Sequence, residues 1–341
     1  MPHSNSHLPI SVLLTIIGYH LYKHMKLTHK IFVASALSLG ALTAMQIKPT
    51  PVVNPRLFML PDSTSDLFAD GTAPVLVKDQ FGFTEGPSPD KKGNIYFTDQ
   101  NNDKIWMYGI DGKLTVWMDS SRRANGTYFD KKGNLITCAE LRNELISISP
   151  DKKITTIISD IGGKFMNGPN DVFVTDKGDM YFSDPFFQRS FWKHRGGPGM
   201  QLDGQKVYLV KKGSKEAIPV ITDMRVPNGV VGTPDGKYLY VADYGGRKTF
   251  KYTIEKDGTL SNKTPFADLG SDGMTLDNKG NVYLTGRGVT VYNKDGKRIA
   301  QINVPQPSTT NVCFGGKNRD VLFITSPKAV YTMQMKVKGI E

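Results

Sequence analysis

From Val75 onward the chain is written in short runs that alternate apolar and polar residues, cut at regular intervals by Asp, Asn and Gly. Ile95-Tyr-Phe-Thr98, Lys104-Ile-Trp-Met-Tyr108 and Leu114-Thr-Val-Trp117 are three such runs, the last two separated by Asp111-Gly112. A period of two places successive side chains on opposite faces of a pleated strand, and an Asp-Gly pair closes a hairpin between two strands. The same grammar returns at Tyr238-Leu-Tyr-Val241, Thr249-Phe-Lys-Tyr252, Asp257-Gly258 and a closing strand near Phe266. Val330-Tyr-Thr-Met-Gln-Met335 reads as the last strand. Pro74-Val-Leu-Val-Lys78 reads as a first strand that completes the last sheet, which would join the two ends and remove exposed edges. Beyond the N-terminus no long stretch has apolar residues at helical spacing.

The runs sit inside a larger repeat. Asp90-Lys-Lys-Gly-Asn-Ile-Tyr-Phe-Thr-Asp99 recurs as Asp130-Lys-Lys-Gly-Asn-Leu-Ile-Thr137, Asp176-Lys-Gly-Asp-Met-Tyr-Phe-Ser-Asp184, Asp235-Gly-Lys-Tyr-Leu-Tyr-Val-Ala-Asp243 and Asp277-Asn-Lys-Gly-Asn-Val-Tyr-Leu-Thr285. Asn318-Arg-Asp-Val-Leu-Phe-Ile-Thr325 is a weaker sixth copy. The turn glycines Gly93, Gly133, Gly178, Gly236 and Gly280 are 40, 45, 58 and 44 residues apart. Units of roughly 40–50 residues built from short strands are the blades of an all-β propeller.

Eight residues before each turn glycine stands Glu85, Asn125, Asn170, Asn228 or Asp272. Equivalent positions of successive blades lie at equal height round one axis, so five side-chain oxygens are expected to converge there. Two carboxylates with neutral amide oxygens suit a hard divalent cation such as Ca2+. The alternative is turn chemistry: Glu85, Asn125, Asn228 and Asp272 each precede Gly, and Asn-Gly and Asp-Gly are ordinary turn pairs. Glu85 fits that alternative poorly, because Glu is not a turn former.

The 58-residue interval carries an insertion, Phe186-Phe-Gln-Arg-Ser-Phe-Trp-Lys-His-Arg-Gly-Gly-Pro-Gly199, which follows Asp184-Pro185 at a strand end. A long loop on a rigid scaffold forms a lid or substrate wall, or else packs its aromatics on a neighbouring blade. On the first reading Trp192 and His194 are substrate-binding candidates, together with Asn125.

Charge changes the picture mainly at the N-terminus. The 341 residues carry a formal +11, and residues 1–50 hold Lys23, Lys26, Lys30 and Lys48 without any Asp or Glu. The remaining +7 is spread through turns such as Asp90-Lys-Lys-Gly. That is a solvated surface, not the clustered, aromatic-laced patch of a nucleic-acid site. Two apolar runs, Leu8–Tyr22 and Ile31–Met45, occupy residues 1–50, and the second follows the positive start Met25-Lys-Leu-Thr-His-Lys30. They predict an export signal with Met25 as its start and a small-residue exit near Leu42-Thr-Ala44. The alternative is a membrane anchor, each run being shorter than the ~20 residues of a comfortable span. No Cys follows the apolar run, so a lipoprotein is excluded. The protein is therefore expected to be exported, periplasmic or secreted. Residues 51–72, with Pro51, Pro55 and Pro61, read as an exposed linker, and 73–341 as one propeller domain. Cys138 and Cys313 fall in the second and last repeats and read as half-buried thiols outside any disulfide.

The inventory narrows the chemistry. Of six histidines only His194 lies among the repeats, which removes a His-based zinc site and leaves a Ser-His-Asp triad only a loop histidine. No glycine-rich phosphate loop follows a strand and opens a helix, and Cys138 has no basic partner for nucleophilic work. What survives is oxygen-ligated metal chemistry. An open Ca2+, Mg2+ or Mn2+ site polarises a carbonyl or phosphoryl oxygen and orients the substrate.

Thr84-Glu-Gly-Pro87, Gly168-Pro-Asn-Asp-Val172, Tyr181-Phe-Ser-Asp-Pro185, Val226-Pro-Asn-Gly229 and Ser271-Asp-Gly-Met274, in that order, resemble the motif set of the gluconolactonase/regucalcin (senescence marker protein) family over about residues 75–335. The resemblance implies a six-bladed propeller of four-stranded antiparallel blades with one divalent metal at the channel mouth, and hydrolysis of sugar-type or other lactones. By position, Glu85, Asn228 and Asp272 match the family's core metal ligands and Asn170 a further Asn at or near the metal. Asp272 also matches the residue assigned there as base or nucleophile. Ca2+ is the first expectation for the ion, with Mg2+, Mn2+ or Zn2+ as alternatives. Two features depart from the pattern. The leader differs from the family's cytosolic members, and the second repeat has Cys138-Ala139-Glu140 where others have Thr, Ser or Ala before Asp. Glu140 is open to two readings, an acid behind the ring or a surface residue.

The expected function is metal-dependent opening of a small-molecule lactone or ester by a monomer or weak oligomer. Related propellers, the diisopropyl-fluorophosphatases and paraoxonases, make phosphotriester or arylester hydrolysis at the same site one alternative. A non-catalytic ligand-binding propeller is another, since fold alone does not prove catalysis.

Overall fold

A computed structural model of the chain describes residues 66–340. The described residues form six four-stranded antiparallel sheets. Strand β1 spans Val75–Asp79. Blade one is β2 (Thr84–Pro89), β3 (Ile95–Asp99), β4 (Lys104–Tyr108) and β5 (Leu114–Asp119), and blade two is β6 (Ala124–Phe129), β7 (Leu135–Ala139), β8 (Glu144–Ile148) and β9 (Ile154–Ile158). Blade three is β10 (Val172–Val174), β11 (Met180–Asp184), β12 (Lys206–Val210) and β13 (Ile218–Ile221). Blade four is β14 (Pro227–Gly232), β15 (Tyr238–Asp243), β16 (Lys248–Ile254) and β17 (Leu260–Ala267). Blade five is β18 (Met274–Leu276), β19 (Val282–Gly286), β20 (Gly288–Tyr292) and β21 (Arg298–Ile302). Blade six is β22 (Val312–Gly315), β23 (Val321–Ser326) and β24 (Ala329–Gln334), with β1 as its outermost strand, Val75 opposite Thr332. The first strands of successive blades touch in the order β2, β6, β10, β14, β18, β22 and back to β2. The ring is closed, and the segment just ahead of blade one supplies the outermost strand of blade six.

The alternation read from the sequence is what glues blade to blade. Ile95 and Phe97 of β3 pack with Phe323 and Val330 of blade six, while Tyr96 between them packs towards Ile146 and Ile148 of blade two. In β11, Met180 and Phe182 join blade two and Tyr181 joins blade four. Each blade is thus buried on both faces, and each interface is a separate apolar core. The Asp-x-x-Gly turns are held by their own acids: Asp90 Oδ1 accepts from the Lys92 and Asn94 amides, and Asp130 and Asp277 repeat the arrangement.

Two expectations need correction. Leu67 and Phe68, placed in an exposed linker by the local proline content, are buried in the core between blades five and six, and the Leu67 carbonyl accepts the Lys336 amide at 2.7 Å. Their apolar surface outweighs the polar composition around them. Cys138 and Cys313 are fully buried, not half-buried, because both lie on strands enclosed by two neighbouring blades, in different cores. The targeting or anchor segment expected over 1–50, and the linker up to residue 65, lie outside the described residues.

Candidate active site

The five oxygen-bearing residues that the spacing singles out meet in one cavity. It has a volume of about 140 Å³ and is lined by Glu85, Asn125, Asn170, Asn228 and Asp272, with Phe83, Phe187, Arg189 and Tyr244 around them. Glu85, Asn125 and Asn228 are almost wholly buried, and Asp272 is sunk but open to the cavity.

Local backbone aims these side chains. In blades one, two and four the pairing of the first strand slips between Glu85 and Ser88, Ala124 and Thr127, and Pro227 and Val230. Such a bulge turns the side chain off the regular pleat, here towards the axis. The glycine after each of these residues serves close approach and not a turn. A Cβ on Gly86 would lie 2.2 Å from the Asn125 carbonyl oxygen, and one on Gly126 2.4 Å from that of Asn170. The Gly126 amide donates to the same Asn170 oxygen at 2.7 Å. Inner strands can converge this far only where no side chain separates them.

Asn228 Nδ2 donates to Asp272 Oδ1 at 2.7 Å. Glu85 Oε2 accepts from the Gly86 amide at 3.0 Å and from Asn311 Nδ2 at 3.2 Å. The Glu85 and Asp272 carboxyls border the same cavity, and each feels the other's charge. Burial, and then the negative charge of Asp272, push the Glu85 carboxyl well above its ordinary range. Burial likewise raises Asp272 to about 6, against the hydrogen bond from Asn228. Asn125 Oδ1 and Asn228 Oδ1 are buried without any hydrogen-bond partner. Among the described residues no three His, Cys, Asp or Glu side chains gather as a metal cluster. The oxygen set here is two carboxyls plus Asn amides.

Asn311 is a sixth member of the ring that the turn-glycine count does not reach. Its turn position is held by Arg319, which adopts φ 61° where the other copies have Gly. Counting eight residues back from Arg319 gives Asn311, so the signal was present without its glycine. Glu140 is buried behind the ring and bound to Asn125 Nδ2; the surface reading of it is incorrect.

The insertion divides between both expected roles. Phe187 and Arg189 reach the cavity. Trp192 and His194, expected to touch substrate, do not line it. The Trp192 indole N–H donates to the Glu140 carbonyl at 2.6 Å and its ring lies under the Arg195 guanidinium. His194 Nε2 hydrogen-bonds Asn143 Oδ1, with its imidazole edge-on to Phe165. These two anchor the loop to blade two, because their rings find apolar and hydrogen-bonding partners there.

Residues 83–328 match a family model described as the SMP-30/gluconolactonase/LRE-like region. Over 138 residues the chain is 37% identical to an uncharacterized protein of Sulfolobus acidocaldarius, covering 36% of this chain and 50% of that protein. It is 23% identical to a gluconolactonase of Zymomonas mobilis over 80% of this chain and 85% of the relative. It is 29% identical to the pentonolactonase XacC of Haloferax volcanii over 71% and 80%. Among solved structures, a gluconolactonase of Xanthomonas campestris superposes with a TM-score of 0.74 at 23% identity, covering 81% of this chain and 94% of that one. At that identity the likeness speaks for the fold.

Proposed function

Because the chain belongs to the SMP-30/gluconolactonase/LRE-like family, we propose that it is a hydrolase that opens lactones at the ring, with one divalent cation held by Glu85, Asn170, Asn228 and Asp272. The observation that carries this reading is the pair of orphaned oxygens, Asn125 Oδ1 and Asn228 Oδ1, beside two facing carboxyls. A buried acceptor without a partner costs about 1–3 kcal/mol, and two buried carboxyls repel when ionised. A hard cation satisfies both, and an all-oxygen set of carboxylates and amides favours Ca2+. Asn125, expected first as a substrate contact, offers the same free oxygen and fits the cation equally well.

When bound, such a cation polarises the acyl carbonyl and makes water easier to deprotonate. The chain supplies the rest. Asn228 fixes one oxygen of Asp272, which leaves the other to accept a proton from water as the water oxygen attacks the acyl carbon. The ring C–O bond then breaks, the leaving oxygen takes up a proton, and the product is a hydroxy acid. Phe83, Phe187 and Tyr244 line the cavity with apolar surface, which excludes bulk water and seats the C–H face of a ring. The names of the Zymomonas and Haloferax relatives support a sugar-type lactone. Export, read from residues 1–50, is part of the same proposal.

The test is hydrolysis of gluconolactone and of a small aliphatic lactone by the full-length chain, in EDTA and after adding back Ca2+, Mg2+, Mn2+ or Zn2+. Activity lost to EDTA and restored by one ion is the expected result. Turnover indifferent to EDTA would remove the cation, and cation binding without lactone turnover would remove the lactone.

A further inference from the structure

The insertion of blade three brings one guanidinium to the cavity. Arg189 is the only basic side chain among the described residues that line it, and it faces a space bordered by Glu85 and Asp272. Glu140, a blade-two acid whose side chain is 1% exposed, clamps it from behind. Arg189 Nε donates to Glu140 Oε2, and Nη2 donates to Oε1 at 2.8 Å. Oε1 also accepts Asn125 Nδ2 at 2.9 Å. One acid therefore sets the direction of two groups: it holds the Asn125 amino group, which leaves Oδ1 without a partner, and it holds one edge of the Arg189 fork.

The repeat shows why Glu140 is available. In blades one, three and four the second strand ends in Asp99, Asp184 and Asp243. Each is committed to backbone amides of the loop that enters its blade: Gly82 and Phe83, Asn167 and Gly168, Arg225 and Val226. In blade two the second strand ends in Ala139, and the acid comes one residue later. There the corresponding loop amide, that of Arg123, is taken by Asp103 instead. Glu140 is released from the capping task and turns to Asn125 and Arg189.

Stability gives little reason for this arrangement, since a buried ion pair is often no better than apolar packing of the same shape. Orientation gives a stronger one. A guanidinium held along one edge presents its remaining N–H groups in a fixed direction, and the Arg189 side chain keeps 24% exposure. An acyl oxygen gathers negative charge as a lactone is hydrolysed and ends as part of a carboxylate. The ring carboxyls repel that charge, and a guanidinium accepts it through paired, charge-assisted hydrogen bonds.

Resting on the lactone reading above, we propose that Arg189 binds the acyl oxygens of the substrate and the carboxylate of its product, and that Glu140 is a positioning residue aiming both Arg189 and Asn125. The ligand class is a lactone or the hydroxy carboxylate derived from it.

The experiment is calorimetric titration of gluconate, a hydroxy carboxylate, into the full-length protein in excess Ca2+, with Ca2+ affinity and thermal unfolding followed for each variant. Native protein is expected to bind gluconate. Arg189→Met should weaken that binding by about ten- to hundredfold, the range for a hydrogen bond to a charged group, without loss of Ca2+ affinity. Arg189→Lys, which keeps a charge for Glu140 but lacks the fork, should fold and show most of the same loss. Glu140→Gln should shift gluconate affinity in the same direction. The double variant Arg189→Met with Glu140→Gln leaves no buried charge unpaired and stands in if the single variant is unstable. A purely structural role would lower the unfolding midpoint and leave gluconate affinity unchanged, which would overturn the proposal. So would absence of gluconate binding to native protein. Arg189-dependent gluconate binding without lactone turnover would uphold Arg189 and remove the lactone reading; turnover with gluconate binding indifferent to Arg189 would do the reverse.

Discussion

With divalent cations stripped by EDTA, raising the pH from about 4 to 8 is expected to destabilise this protein, and Ca2+ is expected to cancel the part of the loss that comes from the cavity carboxyls. Burial lifts the Asp272 carboxyl from an ordinary 3.8 to about 6, and Glu85 moves in the same direction through burial and the Asp272 charge. A carboxyl whose pKa is higher folded than unfolded binds protons more tightly in the native state. Its stabilisation is full below pH ~4 and is lost as the pH climbs through about 6. For Asp272 a shift of about two units is at most about 3 kcal/mol, at about 1.4 kcal/mol per unit. In a domain of this size that lowers the unfolding midpoint by up to about 5 °C. Saturating Ca2+ would displace the protons and pair the carboxylates throughout, so the gain from Ca2+ should grow with pH. Asp184 supplies a control. Burial raises it to about 7 against the Gly168 and Asn167 amides, but it lies outside the cavity. Its slope should therefore appear with and without Ca2+. Unfolding midpoints by scanning calorimetry, at constant ionic strength across this range, in EDTA and in Ca2+, give the comparison. Parallel curves, or a Ca2+ gain that shrinks as the pH rises, would refute the reasoning.

Asp272→Ala is expected to abolish Ca2+ binding in calorimetry and cut lactone turnover by on the order of 10²–10³ or more; initial rates near native would remove Asp272 from the chemistry. Gly126→Ala should cost at least about 1–3 kcal/mol, because its Cβ would meet the Asn170 carbonyl oxygen at 2.4 Å and Asp171 Cα at 2.7 Å, whereas Gly197→Ala, with nothing within 4 Å, should leave the midpoint unchanged. Leu67→Ala should cost about 2–5 kcal/mol in denaturant unfolding; a surface-like effect would mean that the domain begins later than its buried contacts indicate.

The parts of this fold that were legible in the sequence are those set by neighbours along the chain. Period-two alternation places Ile95 and Phe97 on one face of β3 and Tyr96 on the other, and no distant residue is needed to read that. The Asp90, Asp130 and Asp277 turns are closed by their own side chains. Constant spacing from turn to axis carried the ring, and it failed only at Asn311, where Arg319 takes the glycine's conformation. The linker assignment of Leu67 and Phe68 failed for the opposite reason. Nothing local marks them as buried, and the core that covers them is built from blades five and six, more than 200 residues later.

By itself, then, the sequence determined the blades, their number and the column of oxygens at the axis, because alternation, turn chemistry and repeat length act over a few residues and reproduce themselves in every copy. Only the tertiary structure decided how the irregular parts serve that column. Arg189 meets Glu140 across 49 residues of chain, Trp192 and His194 turn away from the cavity as anchors, and Glu140 faces inward because Ala139 and Asp103 relieve it of capping. Those outcomes depend on which buried donors and acceptors find one another once two blades are packed, and that pairing is fixed by position in space, not by spacing along the chain.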